Sequence, residues 1–358
     1  MISTKDNYFM QVALNMARRS LGRVAPNPAV GCILVKGSMI IARGNTADGG
    51  RPHAETIALK AAGENAKGST AYVSLEPCAH HGQTPPCVES LIKAKVKRVV
   101  IACKDPDPRV SGKGIEMLED AGILVDVGLL EDKAAEINKG FFKKVTKSRP
   151  YITLKLACTL DGKIAVASGE SQWITGELAR RHVHMVRSMH DAIMVGSGTV
   201  DKDDPMLDTR LPGLKHKSVR VVLDSNLSTP LSSKLVQSAK DTPVLILYSA
   251  GDPQPYHDLG VEAAQIDTKN LEAVTSLLAE RGITRLLVEG GRTVHSSFLK
   301  NRLCDELLIY RAPTLLGDDA IGMSDTLDIQ KLAARFDFRL ENMRPLEQDM
   351  LEIYTLKG

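Results

Sequence analysis

The feature that most constrains this chain is the set His53, Glu55, Cys78 and Cys87, carried by His53-Ala54-Glu55, Pro77-Cys78 and Pro86-Cys87. One imidazole and two thiols are ligands of the kind zinc takes, and holding one ion would force three separate stretches of chain to meet. Such a site keeps a fourth tetrahedral position for water, whose pKa the metal brings toward neutrality. Glu55 need not be a ligand and is free to carry protons. Singly, His53 fits a helix cap and the cysteines fit buried reduced thiols; the four together point to a metal.

The pattern matches the H-x-E and P-C signature of zinc deaminases, in which the non-ligating Glu protonates a ring nitrogen and later helps ammonia leave. That signature has two residues between its cysteines. Here eight, Ala79 to Pro86, separate Cys78 from Cys87, so the loop between the ligands is expected to line the substrate pocket. Ala54 to Ala62 and Val88 to Ala94 have helical spacing, which puts His53 and Cys87 at helix starts, where partial positive charge favours a thiolate. Residues two apart on a helix point roughly 200° apart. His53 and Glu55 therefore share a cleft only if His53 lies at or before the first turn.

With 358 residues the chain has room for two domains, and its 43% hydrophobic and 25% charged composition suits ordinary globular cores. The start, Met-Ile-Ser-Thr-Lys-Asp, lacks a secretory apolar region and no run is long enough to cross a membrane, so a cytoplasmic location is expected. Six cysteines in this length do not make a disulfide framework, and Cys32, Cys103, Cys158 and Cys304 are expected to be reduced. A net charge of +3 suits an anionic small molecule and is too slight for nucleic acid.

The basic run Phe141 to Pro150 separates two αβ sets, predicting domains at 1–147 and 148–358. Before it the pattern predicts a helix over 8–20, a hairpin over 30–43, the helix after His53, strands at 70–75 and 98–102, the helix after Cys87, and further αβ elements to Val127. After it come strands at 151–157, 192–195, 219–223, 243–248, 285–288, 306–310 and 350–355, and helices at 174–189, 271–281 and 294–301. Alternation of this kind predicts sheets covered by helices. Gly196-Ser197-Gly198 follows a strand, but Asp201 stands where a Rossmann fingerprint needs its third glycine. Leu286 to Thr293 is a better dinucleotide candidate. It is a strand turning through Gly290-Gly291 into a helix whose free N–H groups suit phosphate, although such a turn also serves as a plain tight connection.

The strings His53-Ala-Glu55, Pro77 to Cys87, Thr159-Leu-Asp-Gly162, Ala167 to Thr175 with its single Trp, Asp203-Asp-Pro205 and Glu289-Gly-Gly291 resemble the bifunctional riboflavin-biosynthesis deaminase/reductases along nearly the whole chain. The resemblance implies an α/β fold in two parts: an N-terminal cytidine-deaminase-like α/β/α sandwich and a C-terminal dihydrofolate-reductase-like α/β domain. It implies zinc-dependent deamination of 2,5-diamino-6-(5-phosphoribosylamino)pyrimidin-4(3H)-one. NADPH-dependent reduction of the ribosyl group of the product to ribityl would follow. It also implies a homo-oligomer formed through the reductase domain.

Carried over by motif, His53, Cys78 and Cys87 match the zinc ligands, Glu55 the proton shuttle, and Asn27 and His80 the pyrimidine pocket. Ala157, Trp173, Thr199, Asp203, Ser225, Gly291, Arg292, Thr293, Val294, His295, Ser296 and Ser297 match NADPH contacts, and Ser171, Arg187, Leu207, Arg210 and Glu289 match substrate contacts. Arg187 and Arg210 suit a phosphate fork and Trp173 a flat ring, whereas Ser225 equally suits a turn. Lys155 and Glu289 are candidates for protonating the sugar ring oxygen, although Lys155 equally suits a solvent-facing strand position. Gln83 replaces a residue often basic in the family; a phosphate would then rely on another cation, with Arg51 and Lys113 as candidates, unless Gln83 merely caps a loop. Two other readings are a polynucleotide deaminase, whose cysteine spacing differs, and an active deaminase with a non-catalytic nucleotide-binding second domain.

Overall fold

A computed structural model describes residues 3–81, 85–108, 110–213 and 217–357, so Gln83 lies outside the described residues. Contacts within the chain divide it into two units, Met1–Arg149 and Pro150–Gly358.

In the first unit, strands β1 (Gly31–Lys36), β2 (Met39–Asn45), β3 (Thr70–Val73), β4 (Arg98–Ile101) and β5 (Leu124–Val127) form one sheet in the order β2-β1-β3-β4-β5. β1 pairs antiparallel with β2 and β3, while β3, β4 and β5 run parallel. Helices α1 (Thr4–Arg18), α2 (Ala54–Ala62), α3 (Cys87–Lys93), α4 (Lys113–Asp120), α5 (Glu131–Ile137) and α6 (Lys139–Lys147) complete it. The central strands are covered on both faces, which is why β1 and β3 read as apolar runs rather than alternating patterns.

Helix α1 starts four residues earlier than its apolar pattern predicts because Ser3 and Asp6 form a capping box ahead of the stripe Phe9, Met10, Ala13, Leu14 and Ala17. Asp6 also accepts from the Tyr72 hydroxyl at 2.5 Å and from Arg98 Nη1 at 2.8 Å, which ties the helix start to β3 and β4. Helix α2 lies directly on the sheet. A Cβ at Gly44 would stand 2.2 Å from the Ala54 carbonyl oxygen and 2.8 Å from the Ala58 nitrogen, so only glycine allows that approach.

The second unit is built on β6 (Tyr151–Cys158), β7 (Lys163–Ala165), β8 (Ala192–Gly196), β9 (Val219–Leu223), β10 (Val244–Tyr248), β11 (Glu262–Gln265), β12 (Arg285–Val288), β13 (Glu306–Arg311), β14 (Ile321–Gly322), β15 (Phe338–Leu346) and β16 (Asp349–Leu356). Nine of these strands form a sheet in the order β11-β10-β9-β8-β12-β6-β13-β16-β15, and β7 pairs with β14 apart from it. The strands from β11 to β13 run parallel, and β16 and β15 add an antiparallel ribbon. Helices α7 (Glu177–Ser188), α8 (Ser197–Asp203), α9 (Lys234–Gln237), α10 (Gln254–His257), α11 (Leu271–Glu280) and α12 (Arg292–Lys300) connect the strands. Two cores occupy opposite faces: in β12, Leu286 and Val288 join one and Leu287 the other.

The chain runs outward from β8 to β11 and returns with β12 between β8 and β6. In open α/β sheets, such a reversal opens a crevice beyond the carboxyl ends of the strands. Helix α7 is shorter than its periodicity predicts. It begins at Glu177 because Gly176 is an extended N-cap whose N–H donates to Asp349 at 2.7 Å. Strand β15 was not anticipated from the sequence, since all but its ends is exposed and it has no apolar alternation. No helix among the described residues is long and apolar enough to cross a membrane.

Candidate active sites

In the first unit three elements deliver His53, Cys78 and Cys87 to one point. His53 is the extended N-cap of α2, as its spacing from Glu55 requires; Cys78 follows β3, and Cys87 opens α3. Their ligand atoms all lie within 4.8 Å of one another. His53 Nδ1 is 3.3 Å from Cys87 Sγ and 3.6 Å from Cys78 Sγ. A tetrahedral zinc with ordinary Zn–N and Zn–S lengths has N···S edges of about 3.5 Å, so these donors fit the ion in kind and spacing. The Cys87 N–H donates to Cys78 Sγ at 3.4 Å, one of the backbone donors a thiolate needs.

The thiols divide their acidity unequally. The hydrogen bond from Cys87 and then the His53 imidazole hold Cys78 down at about 4 against burial, while Cys87 is pushed up by its bond to Cys78 and by burial. Glu55 is 3% exposed in the first turn of α2, and burial, with the Cys78 charge, raises it to about 7.

His53, Glu55 and Cys78 line a cavity shared with Asn27, Arg51, Glu76, His80 and Phe141. His80 Nδ1 is buried there without a partner among the described residues. Asn27 is seated by Gly50, at φ +87°, where a Cβ would fall 2.0 Å from Asn27 Nδ2. Lys113 opens α4 and is exposed, outside the residues lining this cavity. Glu76 was missed in the sequence. Buried beside Pro77-Cys78, its carboxylate accepts from the N–H groups of Gly112 at 2.9 Å and Gly114 at 3.1 Å, fastening a wall of the pocket. Its only sequence signal is its place one residue before Pro77.

The second unit holds a cleft of about 1240 Å³ at the carboxyl ends of β6, β8 and β12. Glu289, 6% exposed, is gripped by Arg187 through Nε at 2.5 Å and Nη2 at 2.8 Å, with Lys155 Nζ at 4.0 Å. Lys155 is 17% exposed and faces this cleft rather than open solvent; burial lowers its pKa. The Arg187 fork, expected to be open to phosphate, is occupied by Glu289, and Arg210 meets Asp208 at 2.9 Å.

The glycine turn is a close-packed cradle. A Cβ on Gly290 would lie 3.0 Å from Thr199, Gly291 has φ +76°, and α12 starts with no side chain capping its free N–H groups. Such a cradle suits a dinucleotide phosphate. Ala157, Trp173, Thr199, Asp203, Gly291, Arg292, Thr293, Val294 and His295 line the cleft, as do Ser171, Leu207 and Arg210. Trp173 is 69% exposed with Arg180 stacked 4.7 Å from its ring centre. Ser171 reaches Asp203 at 3.3 Å, and Arg292 pairs with Asp325 at 2.8 Å.

Three residues expected to meet NADPH lie off the cleft wall. Ser225 bonds Thr268 at 2.6 Å, Ser296 Oγ accepts from Asp325 N at 2.8 Å, and Ser297 donates to the Thr293 carbonyl at 2.8 Å; none of these serines lines the cleft. Arg220, fully buried, was missed. It donates to the Met206 carbonyl at 3.1 Å and so anchors the loop that follows Asp203 and carries Leu207, where Asp204 and Leu207 take φ of +40° and +50°.

The two sites define a two-part enzyme, one part equipped for metal-assisted hydrolysis and the other for dinucleotide-dependent reduction. Residues 150–351 match the RibD C-terminal domain, and residues 3–103 match the cytidine and deoxycytidylate deaminase zinc-binding region. The chain is 40% identical to the riboflavin biosynthesis protein RibD of Aquifex aeolicus, with 98% of each covered, and 42% identical to that of Haemophilus influenzae, with 99% of each covered. It superposes on a crystal form of Acinetobacter baumannii RibD with a TM-score of 0.92 at 42% identity, covering 99% of both chains. A Thermotoga maritima diaminohydroxyphosphoribosylaminopyrimidine deaminase/5-amino-6-(5-phosphoribosylamino)uracil reductase gives 0.87 at 35%, covering 98% of both. The chain belongs to the RibD family of bifunctional riboflavin-biosynthesis enzymes, with a zinc-dependent deaminase domain and an NADPH-dependent reductase domain. A non-catalytic second domain is not favoured.

Burial alone would raise the Glu289 carboxyl, but Arg187 and then Lys155 outweigh it and hold it at about 2. A carboxyl lowered by folding stabilises the fold above its ordinary 4.5, and that contribution fades as pH falls toward 2. Urea unfolding at stepped pH should therefore show a smaller acid loss in Glu289→Gln than in the parent across that window. Parallel curves would contradict the buried ion pair.

Proposed function

We propose that the first unit deaminates 2,5-diamino-6-(5-phosphoribosylamino)pyrimidin-4(3H)-one and that the second reduces the ribosyl group of 5-amino-6-(5-phosphoribosylamino)uracil to ribityl. The observation that carries this reading is the convergence of His53, Cys78 and Cys87 beside a buried Glu55. The Thermotoga relative, named for both reactions, supports the substrates.

His53 Nδ1 and the Sγ atoms of Cys78 and Cys87 would hold zinc, which when bound supplies Lewis-acid activation of water. Glu55 takes a proton from the attacking water, delivers it to a pyrimidine ring nitrogen, and assists departure of ammonia. Asn27 and the unpartnered His80 Nδ1 orient the ring. In the second unit the Gly290-Gly291 turn and the start of α12 would hold the phosphates of NADPH, which when bound supplies hydride. Lys155 holds the proton for the sugar ring oxygen, Glu289 orients the opening ribosyl carbon, and Arg187 fixes Glu289. Arg210 is the more exposed cation and meets the substrate phosphate, exchanging Asp208 for it. Six cysteines outside any disulfide and the reliance on NADPH fit a reducing cytoplasm, and the slight net charge fits small anionic substrates rather than nucleic acid.

The exposed edge strand β15, with Leu340 49% and Met343 58% exposed, supports self-association of the second unit. Light scattering is expected to give a multiple of the chain mass, lowered by Leu340→Glu with Met343→Glu. A single-chain mass for the parent would refute it.

Glu55→Gln keeps the shape of the site and removes the proton carrier. Deamination should fall by about 10²–10⁴, while zinc content and reduction of supplied uracil intermediate stay at parent values. Deamination within about tenfold of the parent would exclude Glu55 as the shuttle.

A further inference from the structure

The proton donor of the reductase cleft is held without spending its hydrogens. Lys155 Nζ makes no hydrogen bond to a described residue; its partners are Glu289, at 4.0 Å, and the face of Tyr310, whose ring centre lies 5.9 Å away. Glu289 is already gripped by two nitrogens of Arg187. Tyr310, on β13, is 1% exposed, lines the same cleft and has no part in the scheme above. Two further side chains fix its hydroxyl. It lies 2.7 Å from Nδ1 of His182 on α7, and His182 Nε2 meets Arg344 Nη2 from β15. A guanidinium only donates, so Nε2 is the bare nitrogen and Nδ1–H donates to the Tyr310 oxygen. Burial and then the Arg344 charge hold His182 down at about 4, which keeps this tautomer neutral near neutrality.

We propose that Tyr310 is a positioning residue of the reductase: its ring face, fixed through His182 and Arg344, keeps Lys155 charged beside Glu289 and leaves all three ammonium hydrogens for the substrate. The proposal rests on the reading of Lys155 as the acid. A cation within about 6 Å of a ring centre is attracted by the π-face, the more so where water is excluded. A hydrogen-bond acceptor in the same place would occupy a proton that the reaction needs. When the bond between C1′ and the ring oxygen breaks, its electron pair stays on the oxygen, which takes the Lys155 proton. The lone pair of the attached nitrogen covers C1′ until hydride from NADPH arrives there, and solvent returns a proton to Lys155. The charged and titratable groups around Lys155 are Glu289 after β12, Arg187 on α7, His295 on α12 and Tyr310 on β13. Glu289 and the Tyr310 face favour the ammonium, while burial and Arg187 oppose it.

The pH dependence of kcat for reduction of supplied uracil intermediate by the full chain reads the acid, since activity falls on the basic side as Lys155 loses its proton. The parent limb should lie below the ordinary lysine value of 10.5. In Tyr310→Leu the limb should move lower by about 0.5–1 pH unit and kcat should drop, with the NADPH Kd from fluorescence titration within about twofold of the parent. Tyr310→Phe keeps the ring and gives up only the His182 bond, so its limb should stay at the parent position with a smaller loss of kcat. Trifluorinated phenylalanine at the same site keeps the shape and weakens only the ring face. Its limb should fall between those of the phenylalanine and leucine variants, which tests the proposal even where the leucine variant folds poorly. A limb unmoved by the trifluorinated ring, or one that moves as far in Tyr310→Phe as in Tyr310→Leu, would make Tyr310 a packing residue and overturn the proposal. A parent with no basic limb, or a limb that persists in Lys155→Met, would overturn the reading of Lys155 as the acid, and this proposal with it.

Discussion

Three side chains that leave the backbone at separate points must present one nitrogen and two sulfurs within 4.8 Å of each other, and much of the first unit follows from that requirement. Helix α2 has to lie flat on the sheet for His53 to project from its start, which Gly44 permits by having no side chain. Cys87 has to begin a helix so that its N–H can reach Cys78. Glu76 spends a buried carboxylate on the backbone of the 112–114 segment, which steadies the pocket wall next to Cys78. Two thiols and the Glu55 carboxyl packed together repel one another once ionised, so the cluster is best suited to a divalent cation, whose charge reverses that balance.

The second unit solves a different electrostatic problem. Its cleft places Glu289 and Lys155 in a buried setting where either charge alone would be costly, and the bidentate grip of Arg187 keeps the carboxylate ionised and fixed. Arg220, with no carboxylate hydrogen-bonded to it among the described residues, uses carbonyl acceptors instead, binding Met206, Ser238 and Thr242 and so holding the 204–207 loop against β9. Both arginines act through backbone or side chains they immobilise. Unused hydrogen-bonding capacity among the described residues is found at the α12 N–H groups and at the Nδ1 atoms of His80 and His295.

The legible parts of the sequence were those where one local rule dominates. Apolar runs such as Val219–Leu223 and Arg285–Val288 coincide with β9 and β12, because strands buried on both faces have little freedom in composition. Helix α2 was readable from Ala54 to Ala62, and the four residues of the zinc motif from their chemistry. Tertiary context decided the rest. Asp349, far along the chain, sets the start of α7, and β15 pairs as an edge strand without an apolar pattern. Arg187 looked like a phosphate fork because nothing local reveals that Glu289, about a hundred residues on, occupies it. The serines at 225, 296 and 297 sit in a resembling motif, but their hydroxyls are directed to partners within the chain. Glu76, Arg220 and the orphaned His295 nitrogen are visible only once backbone carbonyls and N–H groups have positions.

The account turns on the metal centre, and X-ray absorption at the zinc edge of the purified full chain tests it most directly. It predicts one zinc per chain with two sulfur neighbours at about 2.3 Å and two nitrogen or oxygen neighbours at about 2.0–2.1 Å. Three or four sulfur neighbours, none, or zinc far below one per chain would contradict it.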